Sequence, residues 1–428
     1  MTGPDPSGQV CVVGLGKIGL PLAVQYASRG LRVVGCDVSA EVVEAVNRGQ
    51  SPIAGEEELD ERLAAAVGQG LLRATIDTAA AVAGSGTVVI IVPVFLTAAN
   101  VPDLSVLDAA TEVIARGLQK DTLVLVESTM PVGTTRGRVG TGLEASGLTM
   151  GRDFRLAYSP ERVYSGRIFA DLRTYPKVVG GIDEESTQAA ARFYSQALGA
   201  AIITVRDAET AEFVKLAESV YRDANIALAN ELARAAAQAG VDVGEAIAAA
   251  NSQPFSHIHQ PGVGVGGHCM PVNPYFLIDG LGPAPLTSLA RQVNDGMAQY
   301  AQERLAAALG GLSGCRVLIL GLAYRANVKE SIYSSALLLS RVLSEAGAAV
   351  LVHDPLFSPQ EIEELGLRPA SLVPPPAVDA VVVQAFHDEY RGLDLSVFQG
   401  CRAVLDGRNV LSRQAVEACG MKYLGIGR

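Results

Sequence analysis

The feature that most narrows the fold is GLGKIG, residues 14–19. It stands between the β-rich run QVCVV (9–13) and the segment PLAVQYASRG (21–30), whose apolar spacing is helical. Strand, glycine turn and helix in that order open a Rossmann unit. Its three glycines tighten the turn, let a phosphate approach the backbone and let the helix pack on the strand. The next strand-like run, LRVVGC (31–36), stops at Asp37, about 20 residues on, where an acid accepts hydrogen bonds from ribose hydroxyls. Asp37 also repels a 2′-phosphate, so the expected cofactor is NAD rather than NADP. Its expected contacts are Gly14, Gly16, Ile18, Gly19 and Asp37. The alternative is a tight structural turn in another α/β protein.

Further strand-like runs, TVVIIVP (87–93) and TLVLVES (122–128), alternate with alanine-rich helical segments, as in a parallel doubly wound sheet. At 428 residues the chain exceeds one ordinary domain. From about Asp207 to Gly240 it reads as one long helix with no internal proline or glycine, whose alanine-rich faces suit packing against another subunit. A helix is expected near 287–309. Beyond it, GCRVLILGLAY (314–324) and AAVLVHDP (348–355), which contains the acid Asp354, start a second Rossmann-like lobe. Its turn, GLAYRAN, lacks the three-glycine spacing, so this lobe is expected to hold something other than a second dinucleotide. The predicted fold class is α/β: two Rossmann-like doubly wound domains, 1–205 and 311–428, joined by a long central helix and a small all-α dimerisation region, 206–310, that also carries a cysteine loop.

Composition excludes several classes. Hydrophobic residues make up 49% of the chain, yet no run approaches the ~18 apolar residues of a membrane helix. The net charge of −11 argues against general nucleic-acid binding, which needs a basic surface. MTGPDPSGQ has none of the features of a signal peptide and reads as a short disordered lead into a strand. Six scattered cysteines, at 11, 36, 269, 315, 401 and 419, include no CxxC pair and read as free thiols of a reducing compartment. A cytoplasmic protein is expected.

Three places carry reactive groups. In PGVGVGGHCMPVNPYFL (261–277), glycines 262, 264, 266 and 267 precede Cys269 and allow close backbone approach to a ligand. Cys269 is either a structural thiol in a flexible loop or a nucleophile working beside a nicotinamide. In ESTMPVGTT (127–135), Thr129 follows a strand and either faces the cofactor or caps a helix. On the long helix, Lys215 and Ser219 are four apart and share a face; they are either solvated or donors to a developing oxyanion. His257 and His259, ten or more residues before Cys269, suggest a zinc set. The intervening glycines are better explained by close backbone approach, and no metal is expected.

These blocks together resemble the nucleotide-sugar 6-dehydrogenases, the family acting on UDP-glucose, UDP-N-acetylmannosamine and GDP-mannose. The resemblance rests on GLGKIGLPLA, NRGQSPI, PDLSVLDAA, ESTMPVGTT, YSPERVYSGR, KLAESVYRDANIALANELA, GVGVGGHCMPVNPYFL, RQVNDGM and GLAYRANV, in the family's order. GGHC followed by P-V-x-P-Y looks more like the N-acetylhexosamine branch. The resemblance implies oxidation of a sugar C6 alcohol to a carboxylate with two NAD in succession. Cys269 would hold a thiohemiacetal and then a thioester, with Glu161 as the base for hydrolysis, Lys215 as oxyanion partner and Thr129 holding water. It adds Pro93 and Thr129 to the cofactor contacts. It assigns Glu161, Arg162, Lys215, Gly262, Gly266, Arg325 and Arg408 to the nucleotide sugar, and it implies a homodimer.

Four positions depart from the family. Asn273 stands where the family has aspartate and cannot take a proton. Ser219 replaces an asparagine beside the helix lysine. Phe255 and Ile332 replace arginines, which leaves a different substrate, a reaction that ends at the aldehyde, or substitution by neighbouring cations such as Arg162, Arg167 or Lys329 as explanations. The departures leave open two alternatives: a two-electron oxidoreductase or altered-specificity homologue acting on an unusual nucleotide sugar, and a weakly active homologue that binds NAD and a sugar nucleotide.

Overall fold

The computed structural model describes residues 8–53, 55–280 and 282–428; of the expected N-terminal lead, residues 1–7 lie outside the described residues. The chain divides into two compact units: one runs to Glu218 and includes Tyr275–Gly282, and the other holds Ser219–Pro274 and Pro283–Arg428.

The first unit is built on an eight-stranded sheet. In chain order its strands are β1 (Val10–Val13), β2 (Val33–Cys36), β3 (Leu72–Thr75), β4 (Thr87–Ile90), β7 (Leu123–Val126), β8 (Arg155–Tyr158), β9 (Lys177–Gly181) and β10 (Ile202–Thr204); β5 (Phe95–Leu96) and β6 (Pro102–Asp103) form a separate hairpin. The spatial order is β10-β9-β8-β7-β4-β1-β2-β3, all pairs parallel except β8 with β9. Strands β1 and β2 are buried along their whole length, which is why VCVV and VVGC carry no alternation. Gly14 has φ +100°, and a Cβ on Gly19 would lie 1.9 Å from the Gly14 carbonyl, so the first helix, Gly19–Ser28, starts pressed onto the turn. Of these strands, β1, β2, β4 and β7 fall in the runs that the sequence marks as strand-like, and β3, β8, β9 and β10 lie outside them.

The second unit contains a five-stranded parallel sheet ordered β12-β11-β13-β14-β15: β11 (Arg316–Leu320), β12 (Ala349–His353), β13 (Ala380–Val383), β14 (Ala403–Asp406) and β15 (Lys422–Gly425). Both units are thus α/β with Rossmann-type parallel sheets, as expected. The helix expected over 287–309 is two, Pro285–Asp295 and Met297–Leu309, divided at Gly296, a poor helix former. The long helix is unbroken over Ala208–Ala239, 32 residues.

Candidate active site

The nucleotide turn comes first. Asp37 accepts the Leu15 N–H at 2.9 Å on one oxygen and the Ser39 N–H at 2.9 Å on the other, so the acid holds the glycine turn as well as its own backbone. Each oxygen retains a lone pair for a ribose hydroxyl. No atom lies within 4 Å of a Cβ built on Gly16, so the middle of the turn is open to a phosphate. Ile18 packs on the core beneath it. Strands β7, β4 and β1 are neighbours, so their C-terminal ends bring Thr129, Pro93 and Gly14 to one edge of the sheet. Ser128 donates to the Val92 carbonyl at 2.6 Å and ties two of those ends together. An open turn, an acid with lone pairs to spare and a shared strand edge fit NAD.

Beside that edge lies a buried acid-base cluster. Glu161 Oε1 accepts the backbone N–H groups of Arg162 (2.6 Å) and Val163 (3.2 Å), while Oε2 accepts Lys177 Nζ at 2.8 Å. Lys177 also donates to Glu127 Oε2 at 2.6 Å, and Glu127 Oε1 takes the hydroxyls of Tyr26 (3.1 Å) and Tyr194 (2.8 Å). Burial works to raise the Glu161 pKa, but the Lys177 charge and the N–H donors outweigh it and leave the carboxyl below its usual range. For Glu127, burial wins and the carboxyl is raised despite Lys177. Lys215, on the long helix, donates its ammonium to the Glu161 carbonyl, and Arg162 pairs with Glu218 at 2.6 Å and donates to the Pro176 carbonyl at 3.1 Å.

A further carboxylate, Glu212, clasps the loop that follows β7. It accepts the N–H groups of Gly133 (2.5 Å) and Thr135 (2.7 Å) and the Thr135 hydroxyl (2.6 Å). Burial raises its pKa, although these bonds pull the other way. Lys177, Glu127 and Glu212 carry no mark in the sequence; Glu212 lies among other charges in RDAETAEFVK, and only Lys177 leads an apolar run, KVVGG.

In the second unit Cys269 is an exposed free thiol. Its carbonyl accepts the Asn273 N–H at 2.8 Å, at the start of the helix Asn273–Gly280. Asn273 and Ser219, two of the departures from the family pattern, meet: the buried Asn273 amide donates to the Ser219 hydroxyl at 2.9 Å. The loop is pinned at both ends by a buried polar chain. Gly262 N–H donates to Asn230 (2.9 Å), Asn230 to Asn294 (2.9 Å) and Asn294 to Asp223 (2.8 Å); Arg291 pairs with Asp223 (2.6 Å) and reaches the Met270 carbonyl (3.4 Å). These four side chains, on the YRDANIALAN and RQVND segments, are not marked as individual residues by the sequence pattern.

The loop glycines approach protein rather than empty space. A Cβ on Gly262 would lie 2.8 Å from the Arg408 guanidinium, one on Gly264 2.9 Å from Ser335, and ones on Gly266 and Gly267 2.8 and 2.9 Å from Tyr324. Gly262 therefore makes room for Arg408, which donates to the Gln384 carbonyl at 2.5 Å and whose pKa is pushed down to about 10 by burial. Gly267 donates to the Ile332 carbonyl at 3.1 Å, His268 pairs with Glu330 at 2.9 Å, and Phe255 is 88% exposed. Arg325 follows β11 in the turn that Asp354 holds. Asp354 accepts the N–H groups of Leu322 (2.7 Å), Ala323 (2.8 Å) and Leu356 (2.9 Å) and the buried His387 ring (2.9 Å). Three of these donors, Leu322, Ala323 and His387, share Oδ2 and Leu356 takes Oδ1, so this acid is held by protein on both oxygens.

Three family models of the UDP-glucose/GDP-mannose dehydrogenase family match in succession: the NAD binding domain over residues 8–198, the central domain over 209–296 and the UDP binding domain over 318–413. The chain belongs to this family. It is a dehydrogenase of a nucleotide sugar that uses NAD. Among its relatives, the UDP-N-acetyl-D-mannosamine dehydrogenase of Pyrococcus horikoshii is 36% identical over 98% of this chain and 99% of its own length. The NDP-N-acetyl-D-galactosaminuronic acid dehydrogenase of Ralstonia nicotianae is also 36% identical, over 96% of this chain and 97% of the relative. A solved UDP-glucose dehydrogenase of Pyrobaculum islandicum superposes with a TM-score of 0.89 at 30% identity, covering 98% of each chain. In this dehydrogenase the NAD-domain match takes in the open turn and the Glu161 cluster, and the UDP-domain match takes in Arg325 and Arg408. Among the described residues no helix is long and apolar enough to cross a membrane.

Proposed function

We propose that this enzyme oxidises the C6 hydroxyl of a UDP-N-acetylhexosamine to the uronate, as the names of its Pyrococcus and Ralstonia relatives suggest. Bound NAD would take up the hydride in each of two oxidations. Gly14, Gly16, Ile18, Gly19, Asp37, Pro93 and Thr129 hold the dinucleotide. Arg325 and Arg408, whose guanidinium groups suit paired bonds to phosphate, hold the diphosphate or sugar, helped by Arg162, Gly262 and Gly266. Cys269 captures the aldehyde as a thiohemiacetal and carries the thioester that follows. Lys215 and Ser219 stabilise the oxyanion, Thr129 holds a water, and Glu161 takes that water's proton during hydrolysis. The observation that carries this reading is the exposed Cys269 in a loop anchored at both ends by the Asp223–Arg291–Asn294–Asn230 chain. A nucleophile needs such fixed placement; a spare thiol does not.

A second reading, two-electron oxidation stopping at the aldehyde, is favoured by the uncharged Asn273–Ser219 pair beside the cysteine loop. NADH production is measured over UDP-N-acetylmannosamine, UDP-N-acetylgalactosamine and UDP-glucose, with the product identified by mass. Two NADH per sugar and a uronate support the first reading. One NADH and an aldehyde support the second, and NAD binding without turnover on any nucleotide sugar refutes both.

The working form is proposed to be a cytoplasmic homodimer. Phe213, Tyr221, Leu228 and Leu232 are exposed on the long helix at spacings of 8, 7 and 4, which gathers them on one face. The six cysteines are all unpaired, as a reducing compartment requires.

A further inference from the structure

We propose that Lys177 is a positioning residue for Glu161: with Glu127 behind it, Lys177 fixes which oxygen of Glu161 receives a proton and keeps that carboxylate in its basic form. This rests on the reading of Glu161 as the hydrolytic base. The geometry of the two carboxylates is matched. A carboxylate oxygen offers two lone-pair sites. On Glu161, Oε1 has both filled by the Arg162 and Val163 N–H groups, and Oε2 has one filled, by Lys177. On Glu127, Oε1 has both filled by the Tyr26 and Tyr194 hydroxyls, and Oε2 has one filled, again by Lys177. One ammonium therefore serves two carboxylates, and a proton delivered to Glu161 has a single vacant position, on the oxygen that Lys177 orients.

Access runs through Glu161. Its side chain is 11% exposed, against 5% for Lys177 and 0% for Glu127. The groups facing the cluster come from six elements: Tyr26 from the helix Gly19–Ser28, Tyr194 from the helix Glu184–Leu198, Glu127 from the end of β7, Tyr158 from β8, Lys177 from β9, and Lys215 from the long helix, whose ammonium lies on the Glu161 carbonyl. Tyr158, at the end of β8, feels both carboxylates, and all three phenols are held protonated by burial first and the carboxylate charges second. Lys177 lies over the Tyr194 ring, 5.0 Å from its centre, which fixes the ammonium from a third side. Within the cluster, burial alone favours the acid form of Glu161; Lys177, the Arg162 N–H and the Lys215 charge oppose it, and the like charges of Glu161 and Glu127, bonded to one ammonium, repel each other, which raises Glu127.

The two neighbours thus pull in opposite directions, and that gives the test. Uronate formation is followed against pH with a nucleotide sugar that the wild-type enzyme carries to the acid, and the adduct on Cys269 is read by intact-protein mass. Glu161 must be ionised to act, so activity falls as pH drops through its pKa. Lys177→Met is expected to move this acidic limb to higher pH, slow acid formation at least about tenfold as part of the ~10²–10⁴ a placed base contributes, and let the thioester accumulate, with KM falling along with kcat. Lys177→Arg keeps the charge and both bonds and is expected to restore the limb. Glu127→Gln, which removes the opposing charge, is expected to move the limb to lower pH, and it reports even where Lys177→Met does not fold. If Glu161→Gln slows hydrolysis while the limb stays in place in Lys177→Met and Glu127→Gln, or Lys177→Arg fails to restore it, the proposal is overturned and the base reading stands. If Glu161→Gln forms acid at the wild-type rate, the base reading falls and takes the proposal with it.

Discussion

The two sheets each place an acid after their second strand, and replacing each by its amide should have opposite consequences. Asp354 accepts four donors: the N–H groups of Leu322 (2.7 Å), Ala323 (2.8 Å) and Leu356 (2.9 Å), and His387 Nε2 (2.9 Å). The His387 ring is committed, because its Nδ1 accepts the Asn327 N–H at 3.0 Å and leaves Nε2 as the donor. In Asp354→Asn the better amide orientation keeps the oxygen on the three-donor side and turns its NH2 toward the Leu356 N–H. One buried donor is then unmet, at about 1–3 kcal/mol, and three charge-assisted bonds fall to neutral ones at about 1 kcal/mol each. The expected loss is about 4–6 kcal/mol, as large as the lower end of the ~5–15 kcal/mol that holds a domain together. Asp37 is half-exposed and meets only two backbone donors, at 2.9 Å each, so Asp37→Asn is expected to cost about 1 kcal/mol while weakening NAD binding. Urea unfolding by far-UV circular dichroism, with hydrogen exchange on β11 and β13, measures the first; NAD titration measures the second. The sign with pH is fixed too. Burial works to raise the Asp354 pKa, but His387 and the N–H donors leave it lowered, so its contribution is present above the unfolded carboxyl's value and lost as pH falls through the folded one. The difference between wild type and Asp354→Asn should therefore close in acid. A variant within about 1 kcal/mol of wild type at neutral pH would refute the reasoning.

Cys269→Ala should abolish acid formation and the covalent adduct while NAD binds as before, as shown by cofactor titration and intact mass. Asn273→Asp restores a carboxylate beside Ser219, whose hydroxyl can turn from acceptor to donor; it should raise turnover or shift product toward the acid, and unchanged kinetics and product would remove Asn273 from the mechanism. Glu212→Gln turns an NH2 toward one of the N–H donors at Gly133 or Thr135, costing about 1–3 kcal/mol locally; faster amide exchange at 133–135 is the check. Gly19→Ala places a methyl 1.9 Å from the Gly14 carbonyl and should abolish NAD binding, measured by the same titration.

What the sequence made legible was whatever depends on neighbours along the chain. The turn at 14–19, Asp37, the long helix and the cysteine loop are local patterns, and each stands where expected. Strands β3, β8, β9 and β10 escape the sequence pattern because LRAT, RLAY and KVVGG carry charges or glycines, IIT is only three residues long, and all four gain strand character from sheet partners far along the chain. The supporting residues were hidden for the same reason. Glu127 and Lys177 are 50 positions apart, and Asp223 and Arg291 are 68 apart. The glycines of the loop at 262–267 show the limit most plainly: their spacing signals close approach, and only the structure tells that Arg408, Ser335 and Tyr324 are what they approach.

The Glu161 loop is held from one more direction. Glu56, just beyond the NRGQSPI segment, accepts the Gly166 N–H at 2.5 Å and the Ile168 N–H at 3.4 Å, so a residue 110 positions upstream closes the far end of SPERVYSGR. For anyone building chimaeras within this family, the two segments are one cassette. A graft of residues 160–168 from a relative with different sugar preference would arrive without its clasp unless the stretch around Glu56 travels with it, and specificity transplanted by the loop alone should be lost to misplacement rather than to the wrong contacts.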